Sequence, residues 1–237
     1  LCLSTLRKML QEISEKQNES QIMVATHNNM IASRLNLNNV LWITDDGVKS
    51  LSGVDSEVAK FFVKADDNAF LQLLLSKKVF LVEGATEFLL LPYFYEQLTE
   101  HTIEADGISV ISCNGISYKK YLAIAENTNK RIAVITDNDG KQERINESET
   151  FNQNHDLQHI FMGTTTDDWT WEICVYKVNR ALLDGMINVQ AGAKYLFHDK
   201  DYGAVPGKML NNKVDTAYQM LTSGAVFEVP QYIKDAI

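Results

Sequence analysis

The sequence predicts an α/β protein built on a parallel sheet, and three observations predict it. The apolar runs at 79–82, 108–111 and 132–135 lack the in–out alternation of a half-exposed strand, so each reads as a strand covered on both faces. Stretches of helical character at 86–99 and 117–128 lie between them, the pattern of consecutive βαβ units. The first and third runs each end in acid and glycine, Glu83-Gly84 and Asp137-Asn138-Asp139-Gly140, where glycine lets the backbone turn sharply.

Taken in order, residues 5–20 place Leu6, Met9, Leu10 and Ile13 at helical spacing, which predicts an amphipathic helix. Residues 21–25 read as a short buried strand ending in Thr26-His27-Asn28, and 40–43 as another, closed by the turn Asp45-Asp46-Gly47. Residues 57–75 read as helix, with a domain boundary inside them. The strand–helix alternation starts at Lys77. Its third strand runs 131–136 and a fourth is expected at 158–162. Residues 169–190 and 213–221 read as helices. Trp42, Trp169 and Trp171 are expected in core or interface, Tyr93 and Tyr95 in helix packing, and Lys119-Lys120 on a solvated helix face.

With 237 residues, 45% of them hydrophobic, the chain can bury one large core or two small ones. No run of eighteen apolar residues occurs, so no membrane partner is expected. The start is neither Met nor a signal peptide, which reads as the middle of a longer protein. The three cysteines are far apart without a CxxC pair, which points to a reduced, cytoplasmic protein and away from zinc. The formal net charge of -9 argues against passive binding of nucleic acid but not against a metal-dependent enzyme, because bound cations reverse the local sign.

The chemistry concentrates at the carboxyl ends of two strands, where open parallel sheets bind ligands. Glu83 closes the first strand, and Glu87, one helical turn later, can point the same way. Asp137 and Asp139, two apart, share a face if the segment is extended. Four carboxylates at one edge repel one another without a counter-ion. Hard oxygen donors of this kind suit Mg²⁺ or Mn²⁺, and two such ions can activate water and stabilise a leaving oxygen. Each motif alone is also an ordinary turn; it is the pair that carries weight.

"LVEGATE" followed by "AVITDNDG" resembles the Toprim domain shared by topoisomerases, bacterial primases and nucleases of the OLD (overcoming lysogenization defect) family. The resemblance covers roughly residues 77–237. It implies a Rossmann-like Toprim sheet flanked by helices, with a helical C-terminal part. It implies Glu83, Asp137 and Asp139 as metal ligands, and Glu87, at its spacing, is like the OLD nucleases. Trp169-Thr170-Trp171-Glu172 resembles an OLD segment that supplies a ligand for the second metal, implying Glu172, with Asp167 and Asp168 as alternatives. All three acids are equally explained as an acidic helix start. Lys213 resembles the family's catalytic lysine, acting with Glu83, although Val214 stands where the family has glycine; Lys208, after Gly207, is the substitute. A lysine at the scissile phosphate would offset developing charge.

"QIMVATHNNMIASRL" resembles the late strand and switch histidine of ABC-type ATPase domains, implying that His27 contacts ATP in the longer protein; a helix-cap pattern explains it too. No GxxxxGK[ST] loop is present, so ATP is expected only in the full-length protein. The expected organisation is therefore residues 1–65 as the tail of an ABC-type ATPase domain and residues 76–237 as a Toprim nuclease domain. The expected function is a two-metal DNA endonuclease. Its partners are DNA, the ATPase part of the same chain and a second copy in a homo-oligomer, with phage defence as the role by family analogy. Two rivals stand beside it. A haloacid-dehalogenase-like phosphatase would use Asp137 as nucleophile, but its usual Thr after DxDG is Lys141 here. A non-catalytic metal- or partner-binding module is the other.

Overall fold

The computed structural model describes residues 3–16, 23–26, 40–44, 47–55, 57–58, 69–113 and 118–237. They form two compact units, Leu1–Leu75 and Ser76–Ile237.

In the first unit, helix α1 (Leu3–Lys16) matches the amphipathic stretch expected near the start. An antiparallel hairpin pairs β1 (Leu41–Thr44) with β2 (Gly47–Ser50), Gly47 taking φ +112° to leave the turn. Helix α2 (Ala69–Leu75) closes the unit. The strand expected at 21–25 does not form over Met23–Ala25: among the described residues these have no ladder partner, and Met23 is 88% exposed. His27 lies outside the described residues.

The second unit is the α/β part. Strands β3 (Lys78–Val82), β4 (Ile108–Ser112), β5 (Arg131–Ile135) and β6 (Gln158–Phe161) make one all-parallel sheet in the order β4-β3-β5-β6. Central placement explains the unbroken apolar runs: residues 79–82 and 132–135 are all buried. Val82 pairs with Ile135, so Glu83 and Thr136 leave adjacent strands side by side. Helices α3 (Ala85–Thr99) and α4 (Tyr118–Thr128) are the crossovers expected between the first three strands.

Helix α5 (Gln142–Asn154), between β5 and β6, is missing from the sequence reading because it buries little more than Ile145 and Ser148 and so lacks an apolar stripe. The single helix expected at 169–190 is two, α6 (Trp171–Val178) and α7 (Arg180–Met186). Asn179 breaks it: its side chain donates to Val175 O and Glu228 O and accepts from the Glu228 N–H, so a tertiary contact replaces helix continuity. A hairpin of β7 (Leu196–Phe197) and β8 (Lys200–Asp201) follows, then α8 (Ala204–Asn211), α9 (Lys213–Thr222) and α10 (Gln231–Ala236).

The core joins sheet and C-terminal helices. Trp171, 1% exposed, stacks on Phe94 with ring centres 5.9 Å apart, an arrangement worth about 0.5–1.5 kcal/mol beyond burial. Trp169 lies against Phe197 and Tyr202. Tyr93 Oη donates to Ala225 O and Gln97 bonds both polar backbone groups of Phe227, which ties the segment after α9 to α3. Among the described residues no helix is long and apolar enough to cross a membrane.

Candidate metal centre

Glu83 is held by its neighbouring strand. Its Oε2 accepts from Thr136 Oγ1 at 2.7 Å and from the Asp137 N–H at 3.2 Å, bonds that exist because β3 and β5 end in register. Glu87 follows in the first turn of α3, 4% exposed. Its carboxylate lies against Gly84, where an added Cβ would stand 3.2 Å from Glu87 Oε2. Burial pushes its pKa up to about 7, with the charges of Glu172 and Glu83 adding to the rise.

Asp137 accepts the Trp171 N–H at 2.8 Å, so the third strand end is tied to the start of α6. Part of its surface is open, yet burial of its carboxyl is the largest cause of a pKa raised to about 8, followed by the charges of Glu172, Glu87 and Glu83. Glu172 is 1% exposed; its Oε2 accepts from Thr170 Oγ1 and from Lys213 Nζ at 3.1 Å, while its Oε1 has no hydrogen-bond partner. Burial pulls the Lys213 ammonium down, but the charge and hydrogen bond of Glu172, with Asp137 and Glu87 behind, outweigh it and hold its pKa above the ordinary value.

The charges of Glu83 and Glu172 thus bear on both Glu87 and Asp137, with Lys213 at the group's edge. The other expected candidates lie elsewhere. Asp139 is not on the face of Asp137: its backbone is left-handed, φ +54°, not extended, and its carboxylate pairs with Arg144. Asp168 takes Lys177 Nζ at 2.7 Å and Thr165 Oγ1 at 2.7 Å. Its pKa falls below the ordinary value because these bonds outweigh its partial burial, the largest single influence. Asp167 offers its backbone carbonyl to Lys177, and Lys208 Nζ donates to Asn188 O.

Three residues of the site escaped the sequence reading. Asn138, fully buried, aims its amide at Gly163 O, Thr165 O and Asp168 O and accepts the Gly140 N–H, fixing the loop between the aspartates. Thr136 orients Glu83, and Arg144 pairs with Asp139. The run Thr-Asp-Asn-Asp was the available signal, since a buried amide between two aspartates has a scaffolding use.

Residues 74–139 match the family described as "Overcoming lysogenization defect protein-like, TOPRIM domain". Over this segment the chain is similar to an OLD-like Toprim domain. The matched segment runs from the end of α2 through both acidic motifs. Among solved structures, the C-terminal region of the Burkholderia pseudomallei OLD protein is 18% identical with a TM-score of 0.49, covering 68% of this chain and 95% of that one. The C-terminal region of the Xanthomonas campestris pv. campestris OLD protein is 17% identical with a TM-score of 0.46, covering 70% and 92%. No curated protein matches the chain.

Toprim domains generally bind divalent metals, and the donors gathered here suit such an ion: they are carboxylate oxygens, one of them buried without a hydrogen-bond partner. Burial pushes the nearby Cys174 thiol up to about 12. As arranged, no three Asp, Glu, His or Cys among the described residues converge closely enough to share an ion.

Proposed function

We propose that this chain is the nuclease part of an OLD-type ATP-dependent protein, an endonuclease that hydrolyses DNA phosphodiester bonds. The observation that carries this reading is the set of crowded carboxylates, Glu83, Glu87, Asp137 and Glu172, with the Lys213 ammonium beside them. These four and Asp139 would hold two Mg²⁺ or Mn²⁺ ions. Bound ions of this class activate water and stabilise the leaving oxygen. The chain's own residues do the rest. Thr136 and the Asp137 N–H keep Glu83 facing the site. The Trp171 N–H holds the Asp137 carboxylate. Lys213, charged through the neutral range, supplies the positive charge for the scissile phosphate.

In the longer protein ATP would bind an ATPase part ahead of this domain, with His27 in contact, and the enzyme would act in the cytoplasm as a homo-oligomer. The test is cleavage of supercoiled plasmid by this chain in Mg²⁺, Mn²⁺, Ca²⁺ or EDTA. Nicked or linear product in Mg²⁺ or Mn²⁺, and none in EDTA, is expected. Undiminished cutting in EDTA overturns the metal mechanism, and inactivity in every metal favours a binding module.

A further inference from the structure

Asp139 is the acidic residue of the two motifs that stands apart from the cluster. Its side chain is 47% exposed against 1% for Glu172, and it is absent from the charges that act on Asp137 and Glu87. What holds it is Arg144, in the first turn of α5, whose guanidinium has two arms in use. Nη1 pairs with Asp139 Oδ2, and Nη2 donates to Thr136 Oγ1 at 3.2 Å. That hydroxyl spends its own proton on Glu83 Oε2 at 2.7 Å. One side chain therefore spans both acidic motifs, directly at Asp139 and through Thr136 at Glu83.

We propose that Arg144 is a built-in cation that Asp139 exchanges for a divalent ion. The inference rests on the metal-dependent reading above. While Asp139 is paired with Arg144 it stays out of the cluster. Recruiting Asp139 means giving up the pair, so Arg144 competes with the ion for one carboxylate. Its second arm can stay on Thr136, so Glu83 keeps its orientation while Asp139 turns. Arg144 is a positioning residue, and it sets how readily the site loads. The pair is partly exposed, so the competition is small, roughly two- to fivefold in metal affinity.

The test is calorimetric titration of wild-type chain and Arg144→Gln with Mn²⁺ alone, together with thermal unfolding in EDTA and in saturating Mn²⁺. Glutamine suits a helix, and Arg144→Met is a second neutral replacement should the first not fold. Expected are roughly two- to fivefold tighter Mn²⁺ binding by either neutral variant and a larger Mn²⁺-induced rise in Tm than in wild type. A merely structural arginine would lower Tm equally with and without metal. Affinity that is unchanged or weaker in the variants, with wild type binding normally, overturns the exchange and leaves the nuclease reading standing. Failure of wild type itself to bind Mn²⁺ overturns both.

Discussion

At Glu172 one carboxylate oxygen accepts two hydrogen bonds and the other none, so the pairing with Lys213 is the charge compensation available to a nearly sealed acid. Lys213→Met should cost about 1–2 kcal/mol in urea unfolding with EDTA present, less than the loss of a fully buried pair because the lysine is partly exposed. Adding Glu172→Gln should return most of that cost, since a neutral amide needs no counter-charge; strictly additive losses would show that the two residues are not coupled. Asp137 presents the opposite case, a carboxyl crowded by three others. Asp137→Asn should raise the Tm of metal-free protein by roughly a few degrees, read by scanning calorimetry, while abolishing cleavage. Glu83→Gln should damage cleavage as severely. A folded Glu83→Gln chain that still cuts plasmid at the wild-type rate removes Glu83 from the machinery.

The loop after β5 shows how an element aims side chains that its sequence leaves undetermined. Asp137 turns inward to the Trp171 N–H, Asn138 goes into the interior, and Asp139 takes a left-handed backbone that sends it outward to Arg144. Alternation along an extended strand would have put both aspartates on one face. Asn138→Ala should cost about 2–3 kcal/mol, because three carbonyls and one N–H lose their shared partner in a sealed site. It should also weaken Mn²⁺ binding without removing a ligand. An Asn138→Ala protein of wild-type stability and metal affinity would show that the loop holds itself. The facing segment is equally constrained: a Cβ at Gly163 would stand 2.1 Å from Asp168 O.

Across the whole molecule, the two most shifted acids set how stability follows pH. Glu87 and Asp137 have folded-state pKa values of about 7 and about 8, above their ordinary 4.5 and 3.8. The folded state therefore keeps protons that the unfolded chain gives up. The stability this contributes is complete below about pH 4 and is lost as pH rises through about 7 and 8. Metal-free protein should accordingly show a falling Tm from about pH 5 to about pH 8, and saturating Mn²⁺ should flatten or reverse that fall because the ion competes with the same protons. A Tm in EDTA that climbs steadily across this range would mean that the carboxylates are not crowded as described.

The four strands of the parallel sheet, their parallel arrangement and the two acidic strand ends were determined by local sequence, whereas the strand expected at 21–25 was not formed over Met23–Ala25. Buried strands are apolar on both faces, and that pattern survives in a one-dimensional reading, as 79–82 and 132–135 show. The polar helix α5 was not legible, since its few core contacts leave no period, and neither was the break at Asn179, which a backbone 49 residues away imposes. At the site, Glu83, Glu87 and Asp137 could be named from spacing along two strands that the sheet was bound to align. The choice of Lys213 over Lys208 beside Glu172, and the turning away of Asp139, were decided by tertiary structure. Both depend on which group the fold brings up, Lys213 from α9 across 41 residues to Glu172 and Arg144 from the first turn of α5 to Asp139, and pairings of this kind leave no trace in residue order.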